Sequence, residues 1–322
     1  MSHRTSHVLL TLLPIWAALF FHTTSSSPLL LAQRQDDDGC VTQDSANPHA
    51  EEYPDFVSGN LNGTTLIVPI PLSIARQVIP SQYGILEDAY RSLLPSSFPQ
   101  DAYPMMAVGV HDHDIQFPAY GAHPSDFSRA ALEFPFLDIL GDNYSSFRWA
   151  ATMLITAGND VAISGSEGFG ITVYPGSFSP SCDAYAYIAD PSAPESNNMT
   201  HYFQASSEND ALGRLLSLQT APTTGGTDAY GLDFLKNITN QPVFANDTTV
   251  CDNYQRLFNT SLTLPPNEPV PVRGHVEARI EPFADEAQVW EDNVFGWRVS
   301  TGFLEPPVAA SCASLKGYSG VW

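Results

Sequence analysis

The sequence predicts a mainly β fold of the α+β class, in which short strands form an antiparallel sheet or barrel with few short helices. Short apolar runs, rich in β-branched and aromatic residues, recur along the chain and are separated by Pro, Gly, Asn and Asp. The 26 prolines in 322 residues disfavour long helices, and no internal repeat or heptad pattern is present. The chain is long enough for one sizeable core.

The expected elements follow in chain order from this pattern. Gln33–Pro54 is acidic, polar and aperiodic, which predicts an extended arm over residues 27–59, and residues 60–322 are expected to form one domain. Pro71–Ile79 predicts a short helix, because a proline stands early and Ile74, Val78 and Ile79 have helical spacing. A second helix is expected over residues 209–218. Strands are expected at Gly63–Ile70, Met105–Val110, Ala130–Leu140, Phe147–Ile155, Val161–Ile163, Phe169–Tyr174, Ala184–Ile188, Met199–Phe203, Arg256–Leu264, Val270–Ile280 and Gln288–Trp290.

The segment of about 189–253 is rich in turn residues and lacks a clear period, so we interpret it as a glycosylated insertion on the sheet. Six Asn-x-Ser/Thr sequons occur in the chain, which favours an exposed and glycosylated surface. They lie at Asn62, Asn143, Asn198, Asn237, Asn246 and Asn259.

The charge balance excludes some classes of partner. The formal net charge is −22, although only 15% of the residues are charged. Nucleic-acid binding needs Lys and Arg facing phosphates, and an anionic membrane surface would repel this chain. The simplest interpretation is the solubility of a secreted, acid-tolerant protein. An anionic substrate would have to be held by local arginines.

The N-terminal residues are typical of a secretory signal. Arg4 and His7 precede the apolar run Val8–Phe21, which is short for a membrane span and contains Pro14. We expect a signal peptide at 1–26 and a secreted protein without a membrane partner after its removal; a signal anchor is the alternative. The four cysteines, Cys40, Cys182, Cys251 and Cys312, are far apart, which predicts two disulfides with three possible connectivities.

The stretch Phe147–Phe178 contains the motif Gly165-Ser-Glu167-Gly-Phe169-Gly170 after an aromatic-rich strand. This stretch resembles the central segment of the acetoacetate decarboxylase family, in which a Gly-Arg-Glu-x-aromatic-Gly turn is followed by Pro-Lys-Lys. The resemblance implies a curved antiparallel sheet rolled into a cone-like barrel whose interior holds the substrate. It covers about Gly63–Tyr174 and returns weakly after Pro269.

The two lysine positions of that family pattern are Val173 and Tyr174 in this chain. A Schiff-base decarboxylase needs a neutral lysine amine, and acetoacetate decarboxylase is the standard case. Only Lys236 and Lys316 are present; one precedes a sequon and the other lies in a Gly/Ser-rich tail. The sequence therefore predicts the scaffold without lysine-dependent chemistry.

Several residues are candidates for catalysis. His111 and His113, in His-Asp-His-Asp, would share one face of a strand, where they could act as acid and base or form half of a zinc site; hydrogen-bonded histidines at a strand end are the alternative. Beyond that zinc option, no cofactor is expected. Glu167 could act as a base or satisfy the turn backbone, and Tyr174 could donate a hydrogen bond to a substrate or pack.

Arg148, between Phe147 and Trp149, must be paired if buried, either to a ligand carboxylate or to one of the protein's own acidic side chains. In the alternating segment after Pro271, one face carries Glu277 with Arg273, His275 and Arg279; this face lines the barrel or faces water.

Two functions fit these patterns. The first is a secreted enzyme, with lyase chemistry as one option, acting on a small keto acid or polyketide-like intermediate of secondary metabolism; hydrogen-bond donors would stabilise an enolate. The second is a non-catalytic glycoprotein that binds a small ligand on the same barrel. Convergence of His111, Arg148, Glu167 and Glu277 would favour the enzyme, and an apolar lining would favour binding.

Overall fold

The computed structural model describes residues 44–189, 199–207, 210–223 and 229–317. These residues all lie in one compact unit of the chain, Gln35–Trp322. The predicted mainly β fold with few short helices is confirmed. None of the helices in the described ranges is long and apolar enough to cross a bilayer.

The strands and helices have the following bounds. The strands are β1 (Val57–Pro71), β2 (Gly84–Ile85), β3 (Ala102–Gln116), β4 (Phe127–Asp138), β5 (Phe147–Trp149), β6 (Thr152–Thr156), β7 (Thr172–Ser179), β8 (Ala186–Ala189), β9 (Met199–Ser207), β10 (Leu215–Pro222), β11 (Val243–Phe244), β12 (Val250–Cys251), β13 (Gln255–Leu257), β14 (Val270–Arg279), β15 (Gln288–Trp290), β16 (Phe295–Glu305) and β17 (Ala310–Ser311). The α-helices are α1 (Leu72–Val78), α2 (Glu87–Leu93), α3 (Asp160–Gly168) and α4 (Leu232–Thr239).

Nine strands close into a barrel in the order β4-β3-β1-β16-β14-β10-β9-β7-β6, and β6 pairs back to β4. Every neighbouring pair is antiparallel except β6 and β7, so the barrel is mixed rather than purely antiparallel. A parallel pair needs a crossover between its strands, and α3 provides it. Two barrel strands, β9 and β10, come from the segment expected to be an insertion, so the barrel cannot close without it.

Contacts across the barrel define its interior. A Cβ placed on Gly109 of β3 would lie 2.6 Å from Phe203 of β9 and 2.8 Å from Leu218 of β10. Since these strands are not neighbours of β3, all three positions face inward. Directly paired residues share a face, so the register assigns a side to each residue of the other barrel strands.

The outer faces of β1 and β16 are also buried, because the segment 230–257 lies over them. Leu235 of α4 packs with Trp297 and Val299 of β16. The Arg256 Nη1 atom donates a hydrogen bond to Thr65 Oγ1 on the outer face of β1. This covering layer also carries charged side chains, Asp252 and the buried Arg256.

Three local predictions were wrong or incomplete. Val161–Ile163 is not a strand but part of α3, since Asn159 Oδ1 accepts a hydrogen bond from the Ala162 amide and caps the helix. The expected helix over 209–218 is wrong in its described part, because Leu215–Pro222 is barrel strand β10. The long strand Phe295–Glu305 was missed, and of Arg256–Leu264 only the start is extended, within Gln255–Leu257.

A disulfide joins Cys251 and Cys312, which are 61 residues apart. Cys182 is also disulfide-bonded, and Cys40 lies outside the described residues. Both lysines are ion-paired, the half-buried Lys236 to Asp233 at 3.3 Å and the exposed Lys316 to Asp142 at 3.7 Å.

The sequon asparagines lie in different environments. Asn143, Asn246 and Asn259 are exposed. Asn237 is half-buried on α4, where its Oδ1 accepts a hydrogen bond from Gln241 Nε2. Asn62 faces the barrel interior, and Asn198 lies outside the described residues. Glycosylation at the three exposed sites stays a prediction.

Candidate functional site

The His-Asp-His tripeptide of β3 spans the two sides of the barrel wall. His111 and His113 share the inward face of Gly109, and Asp112 points outward, as the alternation predicted. Both imidazoles are buried, with 0% and 2% of the residue exposed. Their rings stack with centroids 6.2 Å apart and 13° between planes. The barrel interior therefore has a polar end at these histidines.

His111 is held as a neutral base. Its Nδ1 lies 2.9 Å from the Ser128 hydroxyl of β4, which also faces inward. Burial lowers the pKa of His111, and the nearby Asp112 carboxylate opposes that shift only in part. A neutral imidazole can accept a proton from a bound molecule.

Arg298 of β16 enters the same end of the barrel. Its partner in the ladder is Thr64, which pairs with the inward-facing Gly109. The guanidinium contacts His201 Nε2 of β9, and its Cζ lies 5.0 Å from the ring centroid of Tyr185. Within the described part of the chain, Arg298 forms no ion pair. Among the described residues it is a half-buried cation with no carboxylate within ion-pair distance.

His201 is the second neutral imidazole of this site. Burial, and after it the charge of Arg298, lowers the pKa of His201 to about 4. Tyr185 and Tyr187 pack against its ring at centroid distances of 4.9 and 4.6 Å. The cluster thus combines one fixed positive charge, uncharged histidines and phenol hydroxyls, which suits a small anion with an adjacent carbonyl group.

The N-terminal arm covers part of the polar end. Asn62 Nδ2 donates a hydrogen bond to Asp44 Oδ2 at 3.0 Å, and the same carboxylate lies 3.8 Å from His113 Nε2. His49 occupies the space beside Gly302, where an added Cβ would lie 2.5 Å from the imidazole. Tyr187, which packs on the His201 ring, is 58% exposed.

The other candidate catalytic residues do not join this cluster. Glu167 is exposed on α3, and Glu277 points out of the barrel, since its neighbour Val276 pairs with the inward-facing Leu218. Arg148 Nη1 pairs with Glu133 Oε2 at 3.0 Å on the outer side, as the salt-bridge interpretation expected.

Tyr174 and Val173, at the family's lysine positions, face opposite ways. Tyr174 faces inward but at the other end, where its hydroxyl donates to Glu281 at 3.3 Å and the Arg214 guanidinium covers its ring at 3.7 Å. Val173 faces outward and packs beside Met153 and Ile171. Neither position contributes to the polar end.

A zinc site at His111 and His113 would need a third ligand, and the described residues offer none. No group of three or more His, Cys, Asp or Glu side chains among the described residues is arranged to hold a metal ion. His111 and His113 remain candidates for acid–base chemistry.

The sequence patterns had missed Arg298 and Tyr185 as site residues, and His201 was considered only as one option for a third zinc ligand. Arg298 lies between Trp297 and Val299, so the signal that singled out Arg148, an arginine among apolar neighbours, also applies to it. Strand β16 would have been found by its alternation, but no local signal places it beside β1.

No family model and no curated protein matches the chain. Among solved structures, it is similar to the enduracididine biosynthesis enzyme MppR complexed with pyruvate, with 11% identity over 78% of this chain and 87% of that chain and a TM-score of 0.43. It is also similar to an acetoacetate decarboxylase-like enzyme from Sphingomonas wittichii RW1, with 10% identity over 80% and 93% of the two chains and a TM-score of 0.42. Similarities this distant add no argument about chemistry, which has to be inferred from the residues described above.

Proposed function

We propose that the protein is a secreted enzyme that binds a small keto acid or polyketide-like acid at the polar end of the barrel and transforms it without a lysine Schiff base. Arg298 carries this proposal: it is an inward-facing guanidinium without an ion pair in the described ranges. In a chain with 35 acidic and 13 basic residues, protein carboxylates are plentiful, so a cation left without one fits a ligand carboxylate.

The surrounding residues support lyase-type chemistry through an enolate. Arg298 would hold the carboxylate by paired hydrogen bonds. The Tyr185 hydroxyl could donate to the developing oxyanion, and the neutral imidazoles of His111 and His201 could accept or return a proton. The ion-paired lysines, half-buried Lys236 and exposed Lys316, support the proposal that no amine takes part.

Secretion is part of the proposal. The apolar N-terminal run, the exposed sequons and the Cys251–Cys312 disulfide support it, since disulfides persist in oxidising compartments. A place in secondary metabolism is proposed on the substrate class alone.

The test is calorimetric titration with pyruvate and acetoacetate. The Arg298→Gln variant should bind either acid at least about tenfold more weakly, because a charged hydrogen-bond partner is lost. Arg273→Gln is the matched control, since Arg273 is exposed on the outward face of β14. Equal losses in both variants, or no loss in Arg298→Gln, would contradict the proposed site.

Turnover separates the enzyme from a non-catalytic binding protein. The dispersal of Glu167, Glu277 and Arg148 away from the polar end favours binding alone. Loss of the keto acid, followed by proton NMR, should depend on Arg298 and His201 if the protein is an enzyme. Binding without turnover of any acid in a keto-acid panel would support the binding protein instead. Borohydride should trap no adduct; a trapped adduct at Lys236 or Lys316 would overturn the amine-free chemistry.

A further inference from the structure

A cleft lies on the outer side of the barrel wall, beneath α3. Its volume is about 220 Å³, which suits a small organic molecule. One side is apolar and includes Ile115, Phe117, Phe127, Met153, Phe169 and Ile171. Gly165 and Ser166 of α3 form part of its rim.

The cleft is separate from the polar end of the interior. Asp112, which lines the cleft, stands between the inward-facing His111 and His113, and Arg129 follows the inward-facing Ser128. Each strand thus presents alternate residues to the two sites. A ligand in one site does not touch the other.

The opposite side of the cleft is polar, and part of it is internally paired. Arg129 Nε and Nη2 donate to the two Asp112 carboxylate oxygens at 2.7 and 3.2 Å. The same Nη2 donates to the Tyr254 hydroxyl at 3.1 Å. Asp112, Arg129 and Tyr254 therefore satisfy one another.

Asp252 and Glu305 are the remaining polar groups of the cleft. The Asp252 Oδ1 atom is buried and has no hydrogen-bond partner among the described groups. Burial raises the pKa of Asp252 to about 7, against the charges of Arg148 and Arg129. Burial, and then the charge of Asp252, raises the pKa of Glu305. Below about pH 7 the Asp252 carboxyl therefore holds a proton and can donate a hydrogen bond.

We propose that this cleft is a second ligand site, which takes a small neutral molecule with an apolar body and one carbonyl oxygen directed at Asp252. The apolar wall fits the body, and the protonated carboxyl pair fits the oxygen acceptor. An anion would meet Asp112, Asp252 and Glu305, and the two nearby guanidiniums, Arg129 and Arg148, are already paired to Asp112 and Glu133. A cation would meet the charges of Arg129 and Arg148.

Three probes with one apolar body test the ligand class: 2-acetylnaphthalene, 2-naphthoate and 2-naphthylmethylammonium. Calorimetric or NMR titration at pH 6 should show the neutral ketone binding tightest of the three. Tighter binding of the carboxylate or the ammonium, or no binding of the ketone, would overturn the proposal.

Two variants of α3 locate the site. A Cβ on Gly165 or on Gly168 meets no described atom within 4 Å, so a larger side chain can start from either position without a clash at its Cβ. Gly165 lines the cleft and Gly168 does not. Gly165→Leu should weaken ketone binding at least tenfold and Gly168→Leu should leave it unchanged, with thermal unfolding showing that both fold. Equal binding by the two variants would place the ketone elsewhere.

Asp252→Asn identifies the hydrogen-bond donor. The asparagine amide donates at every pH, so this variant should bind the ketone equally at pH 6 and pH 8. The wild type should bind more weakly at pH 8, where Asp252 has lost its proton. A wild-type affinity that does not change between these pH values would refute the role of Asp252. Arg298→Gln should leave ketone binding unchanged, which keeps this result independent of the interior site.

Discussion

Replacing Asp252 by asparagine should change how the stability of the protein depends on pH. The folded-state pKa of this carboxyl is raised from 3.8 to about 7. A raised folded pKa means that the stabilising contribution is fully present below the unfolded value and is lost as pH rises through the folded value. The wild type should therefore lose stability from this group between about pH 4 and pH 7.

The magnitude follows from the shift. Each pKa unit corresponds to about 1.4 kcal/mol, so a shift of roughly three units gives about 4 kcal/mol as an upper value. Because Asp252 is half-buried, solvent screening reduces this to about 2–4 kcal/mol. The neutral asparagine lacks this term, so the free energy of unfolding of the variant should fall less than that of the wild type between pH 4.5 and pH 8.

Guanidinium unfolding at four pH values between 4.5 and 8 measures the difference. Part of the slope will remain in Asp252→Asn, since Glu305 is coupled to Asp252 and still titrates in the variant. The double variant with Glu305→Gln should remove that remainder. Parallel pH curves for the wild type and the double variant would refute the assignment of raised pKa values to this pair.

Three further results are expected. Gly109→Ala should destabilise the fold by about 1–3 kcal/mol in chemical denaturation, because its methyl group would overlap Phe203. Gly165→Ala, in open space on α3, should not destabilise it. Equal effects of the two variants would contradict the inward assignment of Gly109 on β3. Removing the disulfide with paired Ser substitutions at Cys251 and Cys312 should cost about 4 kcal/mol for its 61-residue separation, and an unchanged midpoint would refute this. His201, whose pKa is lowered to about 4, contributes stability that is present above about pH 6.5 and lost as pH falls through 4. In His201→Gln the loss of unfolding free energy between these pH values should therefore be smaller by about 2–3 kcal/mol. An equal loss in the variant and the wild type would contradict the lowered pKa.

Patterns of period two predicted much of the fold. The alternation in Val270–Arg279 correctly gave an apolar inward face and a polar outward one, and the solvated interpretation of Glu277 and its neighbours holds. The alternation of His111, Asp112 and His113 was also correct. These features depend only on the pleat of a single strand, so one segment of sequence contains all the information needed.

Features that depend on distant segments could not be predicted. A segment as short as Val161–Ile163 has too few residues for its periodicity to distinguish a strand from a helix. The parallel pairing of β6 with β7 needs a crossover connection, and a helix is the usual form of such a connection. Arg298 meets His201 across 97 residues of sequence. Their contact exists only because the barrel closes, and no local pattern encodes which strands become neighbours.

The tripeptide His111-Asp112-His113 has a consequence for how this protein can change over generations. His111 and His113 face the polar end of the interior, and Asp112 lines the cleft on the outer side. A one-residue insertion or deletion just before them would turn the carboxylate inward and the imidazoles outward. Such an insertion or deletion would damage both sites at once. Divergence at this position is therefore limited to point substitutions. Substitution of an inward-facing residue changes the polar end of the interior, and substitution of an outward-facing residue changes the cleft, so each site can change separately.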